Sequence, residues 1–227
     1  QAGLSRVEAC DLGARVDPGA NDEFGALAAG FNRMAETLQG LYQNLESKVQ
    51  EKTEHLEAQR ARLAALYESA AFVARAESLE ALAQGMARQV RQVARADASA
   101  VRWSDESNQR YMLLASDCLP QALIDEEQCI PTGECLCGQA QGQARTRVIP
   151  IQAEALAQRL GQCARAGFET VVSVPVRVQE RMVGEINLFY REPTDLAEDD
   201  RALLETMASH LAGGIEGLRA GALQRGT

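Results

Sequence analysis

The sequence predicts an α+β fold in which one long helix precedes a domain of strands and shorter helices. Apolar residues recur at coiled-coil spacing over residues 27–73, which is the first observation behind this prediction. Five segments between residues 98 and 190 alternate or run apolar as strands do, and an amphipathic helical pattern stands on either side of them. We therefore expect a helical extension followed by one strand-bearing domain.

Composition narrows the possible classes of function. The net charge of −9 comes without a cluster of lysine and arginine to offset it, which argues against a surface that follows nucleic-acid phosphates. No segment reaches the roughly 20 apolar residues that a membrane-spanning helix needs. Six cysteines in 227 residues are too few for a disulfide-stapled miniprotein, so we expect reduced thiols in a cytoplasmic setting.

The long helix is predicted from its apolar seam, whose positions alternate steps of four and three: Leu27, Phe31, Met34, Leu38, Leu41 and Leu45. Val49 follows Leu45 by four residues again, a stutter that locally unwinds a supercoil, and the seam then continues through Leu56. A rod of about 70 Å cannot bury such a stripe alone. We expect a parallel homodimeric coiled coil. The alternative is a long surface helix packed on the chain's own domain.

The stretch ahead of the rod resembles the second half of a HAMP signalling module. A connector leads into "DEFG" at residues 22–25, and "FNRM" follows at residues 31–34 on the helix. The resemblance implies that residues 1–40 are the C-terminal part of a HAMP domain. It also implies that most of the first HAMP helix, and a transmembrane helix before it, belong to a longer protein.

The next segment, "LYQNLESKVQEKTEHLEAQ", is similar to the signalling helix that joins HAMP to downstream domains. We therefore expect residues 41–75 to form a signalling coiled coil. The stutter at Leu45 and Val49 lies inside this segment, where a signalling helix would be expected to switch.

The region after residue 76 contains the predicted strands and two longer helices. The strands cover residues 98–103, 111–115, 147–151, 170–178 and 182–190, and the helices cover 79–93 and 196–218. This order, with "IPTGECLCGQAQGQ", "GFETVVSVPVRVQERMVGEINLFY" and "LAEDDRALLETMASHLAGGIEG", resembles a GAF domain. The resemblance implies that residues 76–220 form a GAF-like sensory domain with a closing output helix. In such a domain a central antiparallel sheet is flanked by helices, and small ligands bind between the sheet and the loops above it.

Five cysteines of this region are candidates for ligand, redox or metal chemistry: Cys118, Cys129, Cys135, Cys137 and Cys163. Their spacing matches neither a paired zinc knuckle nor the usual ferredoxin runs. The GAF resemblance implies that residues 133–138 and Cys163 border one cavity, where a thiolate near a helix start would be reactive. The alternative is inert packing, because free cysteine is among the most buried residue types. The cofactor is therefore left open, with a metal ion or an iron–sulfur cluster as one option.

The combination of HAMP, signalling helix and cysteine-bearing GAF-like domain resembles the cytoplasmic middle of nitrate/nitrite sensor histidine kinases of the NarX/NarQ type. The resemblance implies a homodimeric relay in a bacterial inner-membrane protein, attached through a missing transmembrane segment. It would act on a response regulator through a missing kinase core, and only that core would bind ATP. We expect the relay to use the HAMP helix start and the seam: Asp22, Glu23, Leu38, Leu41, Leu45, Val49 and Leu56. Neither His55 nor His210 is followed directly by the acidic residue usual at a phosphoacceptor, so both are expected to be structural.

Two other functions compete with the relay. "IPTG" at residues 130–133 and "LCG" at residues 136–138 are similar to the free methionine-R-sulfoxide reductases, in which case Cys137 would be the nucleophile and Cys163 its resolving partner. However, "EIN" at residues 185–187 replaces the acidic residues that hold the substrate amine in that family. The other alternative is a GAF module that binds a small ligand without thiol chemistry.

Overall fold

The computed structural model describes residues 13, 15–17, 23–104, 110–126, 128–131, 145–151, 161–179 and 181–225. The chain divides into two compact units, Gln1–Ala61 and Arg62–Thr227. Among the described helices, none is long and apolar enough to cross a membrane.

Helix α1 (Glu23–Arg75) confirms the long helix that the apolar seam predicts. It begins at an acidic residue, Glu23, which suits the positive end of a helix dipole. In the first unit, the Asn32 side chain fastens the preceding connector to this helix. Its Nδ2 donates to the Val16 carbonyl at 2.7 Å, and its Oδ1 accepts from the Val16 N–H at 2.8 Å. The asparagine of the HAMP-like "FNRM" stretch therefore holds the connector at Val16 against α1.

The second unit is built on a six-stranded antiparallel sheet with the strand order β3-β2-β1-β6-β5-β4. The strands are β1 (Ala98–Ser104), β2 (Arg110–Asp117), β3 (Cys129–Pro131), β4 (Arg147–Pro150), β5 (Thr170–Val178) and β6 (Arg181–Tyr190). Five of them confirm the segments expected from alternation. Strand β3 is an addition: it has three residues, too few to show a period of two, and it pairs with β2.

The other helices within the described part of this unit are α2 (Leu79–Val93), α3 (Gln121–Glu126), α4 (Gly161–Arg165) and α5 (Glu198–Arg225). Helix α2 starts after Ser78, whose Oγ accepts a hydrogen bond from the Ala81 N–H at 3.1 Å. Helix α5 starts two residues later than the apolar pattern suggests, with three acidic residues in its first turn. Its last residue is Arg225, beyond the last apolar position of the pattern.

The two faces of the sheet carry different cores. One face holds the larger core, in which Val101 and Ile186 of the sheet pack with Met86 of α2 and Met207 of α5. The opposite face holds a smaller core around Ala100 and Phe189, with contributions from α3 and α4. The difference follows from strand periodicity, because successive residues of one strand point to opposite faces.

Candidate functional site

Polar side chains are buried on the sheet face that carries the smaller core. Arg102 is 2% exposed, and Ser173, Glu185 and Asn187 are 0% exposed. We call these four residues, together with the half-buried Arg147, the polar patch. Buried charged and amide groups are stable only if their polar atoms find partners, so a group of them this deep in a sheet is a candidate site.

Strand register brings the polar patch together. Arg102 on β1 lies opposite Glu185 on β6, and Ser173 on β5 lies between Asn187 on β6 and Arg147 on β4. Directly opposed residues of antiparallel strands share a face and lie about 5 Å apart, so four neighbouring strands contribute to one continuous polar surface. The surface includes two guanidinium groups, a carboxylate, a carboxamide and a hydroxyl.

Ser173 Oγ and Asn187 Oδ1 are buried atoms of the polar patch that have no hydrogen-bond partner in the described part of the chain. Asn187 donates to Glu185 Oε2 only at a long 3.4 Å. Arg102, Arg147 and Glu185 each make further polar or electrostatic interactions. Leaving a buried polar atom unsatisfied costs about 1–3 kcal/mol, which a bound polar molecule would offset. The chemistry available here is binding by charge and hydrogen bonding.

The sequence alone did not reveal the polar patch. Glu185 and Asn187 alternate with apolar residues along their strand, as they would on a face turned to solvent. The signal is that Arg102, Ser173 and Glu185 lie on the same face of three strands. It becomes visible only once the strand order and register are known.

The five candidate cysteines are not assembled by the described part of the structure. Cys118 is exposed at the end of β2 and has a positive φ of 58°, while Cys129 is exposed on β3. Cys163 is 2% exposed within the smaller core, as the packing alternative expects for a small apolar side chain. Cys135 and Cys137 lie outside the described residues, as does Asp22. Within the described ranges, no group of three or more histidine, cysteine or acidic residues could hold a metal ion.

The candidate relay residues lie on α1 in the first unit. Leu38 is 36% exposed, and Leu41, Leu45, Val49 and Leu56 are 56–63% exposed. In a single chain, this stripe is largely uncovered. Glu23 is also exposed, at the first turn of the helix.

The last turns of α1 lie alongside α5 within the second unit. Arg62 donates to Asp199 Oδ2 at 2.6 Å and to Asp200 Oδ1 at 3.4 Å, which ties α1 to the first turn of α5. Further along, Ser69 Oγ and His210 Nδ1 are 3.2 Å apart, and Ser69 is completely buried. Because residue numbers rise together along both helices, the two helices run parallel here.

Two glycines let α1 approach the rest of the unit. A Cβ at Gly214 of α5 would lie 2.6 Å from Val73 Cγ1, closer than carbon atoms pack. A Cβ at Gly85 of α2 would lie 1.9 Å from Phe72 Cζ. The last turns of α1 are therefore fitted closely between α2 and α5. The contact of His210 with Ser69, a residue of α1, belongs to this packing between the helices.

A family profile described as "GAF domain" matches residues 76–216, which is more than half of the chain. The chain therefore belongs to the GAF domain family. A second profile, described as "HAMP domain", matches residues 1–40. A HAMP domain together with a GAF domain is typical of sensor histidine kinases, so the two matches fit a signalling region of that general class.

Solved structures share the fold at low sequence identity. The GAF domain of a phosphoenolpyruvate-protein phosphotransferase from Coxiella burnetii is 20% identical with a TM-score of 0.60, covering 71% of this chain and 96% of that one. A domain of a putative two-component sensor histidine kinase from Sinorhizobium meliloti is 14% identical with a TM-score of 0.57, covering 67% and 100%. At such identities the likeness shows the fold alone.

The structure of the free methionine-R-sulfoxide reductase from Neisseria meningitidis, solved with its substrate, also resembles this chain in fold. It is 18% identical with a TM-score of 0.56, and the alignment covers 69% of this chain and 89% of that one. This likeness also concerns the fold only. A comparison with curated proteins found no match.

Proposed function

We propose that this chain is the signal-relay region of a membrane-bound two-component sensor histidine kinase that works as a homodimer. Signals would enter through HAMP from a preceding membrane segment, pass along α1 and leave through α5 towards a kinase core and its response regulator. The observation that carries the proposal is the parallel packing of α1 on α5, from Arg62 and Asp199 to Ser69 and His210. A shift or rotation of the incoming helix would reach the outgoing helix directly.

A relay of this kind needs two arrangements of similar free energy. The stutter at Leu45 and Val49 supplies a weak point in the proposed coiled coil, because two consecutive steps of four depart from the regular heptad. The contacts near Arg62 are partly exposed and charged, so they exchange more readily than a packed core would. Both features support a helix that changes register or rotation without unfolding the domain.

For the input we propose nitrate and nitrite, sensed by another part of the complete protein. The support is the resemblance of the HAMP, signalling-helix and cysteine-bearing GAF arrangement to sensors of the NarX/NarQ type. The nitrate assignment is tested by autophosphorylation of the complete sensor in vesicles. The rate is measured with nitrate and with chloride at equal ionic strength. A kinase whose activity is the same in the two salts would contradict the nitrate assignment.

The relay itself is tested by inserting three residues after Leu45 in the complete sensor. This insertion restores regular spacing between Leu45 and Val49, so we expect kinase output to be locked in one state. An insertion of seven residues at the same point is the matched control, because it preserves the stutter. If both insertions leave the response to the input intact, the relay proposal is wrong.

We also infer that the GAF domain binds a small polar ligand on the polar patch. The observation that favours this is the pair of buried atoms, Ser173 Oγ and Asn187 Oδ1, without a described partner. Ser99 offers a matched control, since it is equally buried and its Oγ donates to the Ala87 carbonyl at 2.7 Å. Nondenaturing mass spectrometry of the purified chain should reveal a bound small molecule that Ser173→Ala weakens and Ser99→Ala retains. An identical bound mass in both variants would place the ligand elsewhere.

For the cysteines, we propose that any metal or iron–sulfur chemistry would involve Cys135 and Cys137 together with Cys163. Anaerobic purification followed by metal and iron analysis and a visible absorption spectrum tests this directly. Serine substitution of Cys135 and Cys137 should remove any metal or visible absorption that the wild-type chain carries, whereas substitution of the exposed Cys129 should not. A metal-free, colourless protein would leave packing as the role of these side chains.

A further inference from the structure

The sheet face opposite to the polar patch contains a cavity of about 650 Å³ at the end of the domain. Strand ends, the first residue of α2 and the last part of α5 surround it. Its lining is Leu79, Trp103, Ser104, Met112, Leu114, Arg181, Val183 and Arg219. The size falls within the range of roughly 300–1,000 Å³ that is typical of small-molecule sites.

The floor of the cavity is apolar and firmly held. Trp103 is 7% exposed and Val183 is 3% exposed, and both belong to the larger core. Trp103 lies directly opposite Gly184 on β6, where a Cβ would come within 2.3 Å of the Arg102 carbonyl oxygen and 3.1 Å of the Trp103 ring. The glycine therefore lets the strands pack closely and fixes the position of the indole. Met112, which is 52% exposed, adds a flexible apolar wall.

The rim of the cavity is cationic. The Arg219 guanidinium lies over the Trp103 ring at 5.2 Å from its centroid, and Arg181 is the second charged residue of the lining. None of the described lining residues is acidic. In a chain with a net charge of −9, an apolar cavity edged by two arginines is an unusual local environment. Its charge is complementary to an anion.

We infer that this cavity binds an amphipathic small molecule with a flat apolar body and one anionic group. The apolar body would lie on Trp103 and Met112, and the anionic group would accept hydrogen bonds from Arg219 and Arg181. Arginine suits this role because its planar fork can stack on an aromatic ring while binding a carboxylate or sulfonate. Because α2, the sheet and α5 all contribute residues, the ligand would bridge the sheet to the outgoing helix.

Fluorescence of the complete 227-residue chain tests the inference, since Trp103 is its single tryptophan. Anilinonaphthalene sulfonate is the probe, and phenylnaphthylamine, which has the same aromatic body without the sulfonate, is the neutral comparison. We expect saturable energy transfer from Trp103 to the sulfonate probe. The double variant Arg181→Gln with Arg219→Gln should weaken its binding roughly tenfold or more. Binding of the neutral comparison should change less than about twofold, because it lacks the charge that the arginines recognise.

Arg165→Gln is the matched control, because its side chain is 71% exposed and lies on α4, away from the cavity. It should leave the affinity for both probes unchanged, and circular dichroism should show the same fold for all variants. Equal sulfonate affinity in the double variant and the wild type would overturn the inference. So would a loss of affinity in Arg165→Gln as large as in the double variant, which would indicate attraction by overall charge alone.

Discussion

Helix α1 carries a continuous apolar seam, yet its side chains are in different environments in the two units. In the first unit, Leu41, Leu45, Val49 and Leu56 are 56–63% exposed. In the second unit, Leu66 and Val73 of the seam are partly buried against the larger core, although Leu63 is still 68% exposed. One periodic pattern therefore serves two purposes. Where the domain supplies a surface, part of the seam packs within the chain. Where it does not, the seam is exposed, and we propose that a second copy covers it.

The largest expected effect comes from placing charge in the exposed half of the seam. Replacing Leu41 and Leu45 with aspartate should raise the dissociation constant of the proposed dimer at least about 100-fold, or roughly 2.7 kcal/mol, because like charges would face each other in an apolar interface. Sedimentation equilibrium measures this change. Gln43→Asp with Ser47→Asp adds the same charge outside the seam and should leave the dimer largely intact. A wild-type chain that is monomeric at high concentration would rule out the dimer.

Alkaline pH should weaken the second unit through Tyr190. Burial, followed by the nearby charges of Asp200 and Asp97, raises the pKa of this phenol to about 12, and its hydroxyl donates to the Ala94 carbonyl at 3.1 Å. The ordinary value is about 10, so the neutral form stabilises the fold by up to about 2–3 kcal/mol below pH ~10. That contribution should be lost as the pH rises from about 10 to about 12. Denaturant unfolding across this pH range measures it.

The control for this pH effect is Tyr190→Phe. The variant lacks the ionisable hydroxyl, so its stability should be lower at neutral pH and should fall less steeply between pH ~10 and ~12. If wild type and variant lose stability in parallel over this range, another group controls the alkaline transition.

The buried half of α1 should be sensitive to Gly85→Ala. The new Cβ would overlap the Phe72 ring, so we expect a loss of about 1–2 kcal/mol, after allowing for the better helix propensity of alanine. Denaturant unfolding measures this loss. Phe72→Ala removes the overlap, so the double variant should be more stable than the sum of the two single changes predicts. Additive losses would mean that the two residues do not press on each other.

The smallest effect on stability is expected at the link from Arg62 to α5. Arg62 and Asp199 side chains are 32% and 69% exposed, so Arg62→Gln should cost less than about 1 kcal/mol. In the complete sensor, however, the same substitution should shift the kinase response, because the relay proposal places this contact between the incoming and outgoing helices. Arg60→Gln, exposed on the same helix, is the control. A normal response in Arg62→Gln would show that the link is not needed.

Much of the fold was predictable because its signals are local. The steps of three and four along α1, the alternation in β5 and β6, and the amphipathic pattern of α2 each depend on residues within one element. Strand β3 was missed because three residues carry no measurable period. The signalling class was likewise predictable, since "DEFG" and "FNRM" are short continuous stretches of sequence.

The candidate sites were less predictable. The sequence predicts the cysteines as candidate sites because thiols have distinctive chemistry. In the described structure, Cys163 is buried in an apolar core, and Cys118 and Cys129 are exposed. The sequence does not predict the polar patch, because Ser173 and Asn187 belong to no motif that indicates a binding site. Their significance depends on both being 0% exposed and opposite each other on neighbouring strands.

By itself, the sequence determined the long helical seam with its stutter, the order of strands and helices and the HAMP-to-GAF arrangement. These features depend on the periodicity and the short motifs of neighbouring residues, which a chain carries before it folds. Only the tertiary structure decided which part of the seam packs on the domain, which alternating polar residues are buried, and that Trp103 and two arginines line one cavity. These features depend on strand register and helix packing, which join residues far apart in the chain.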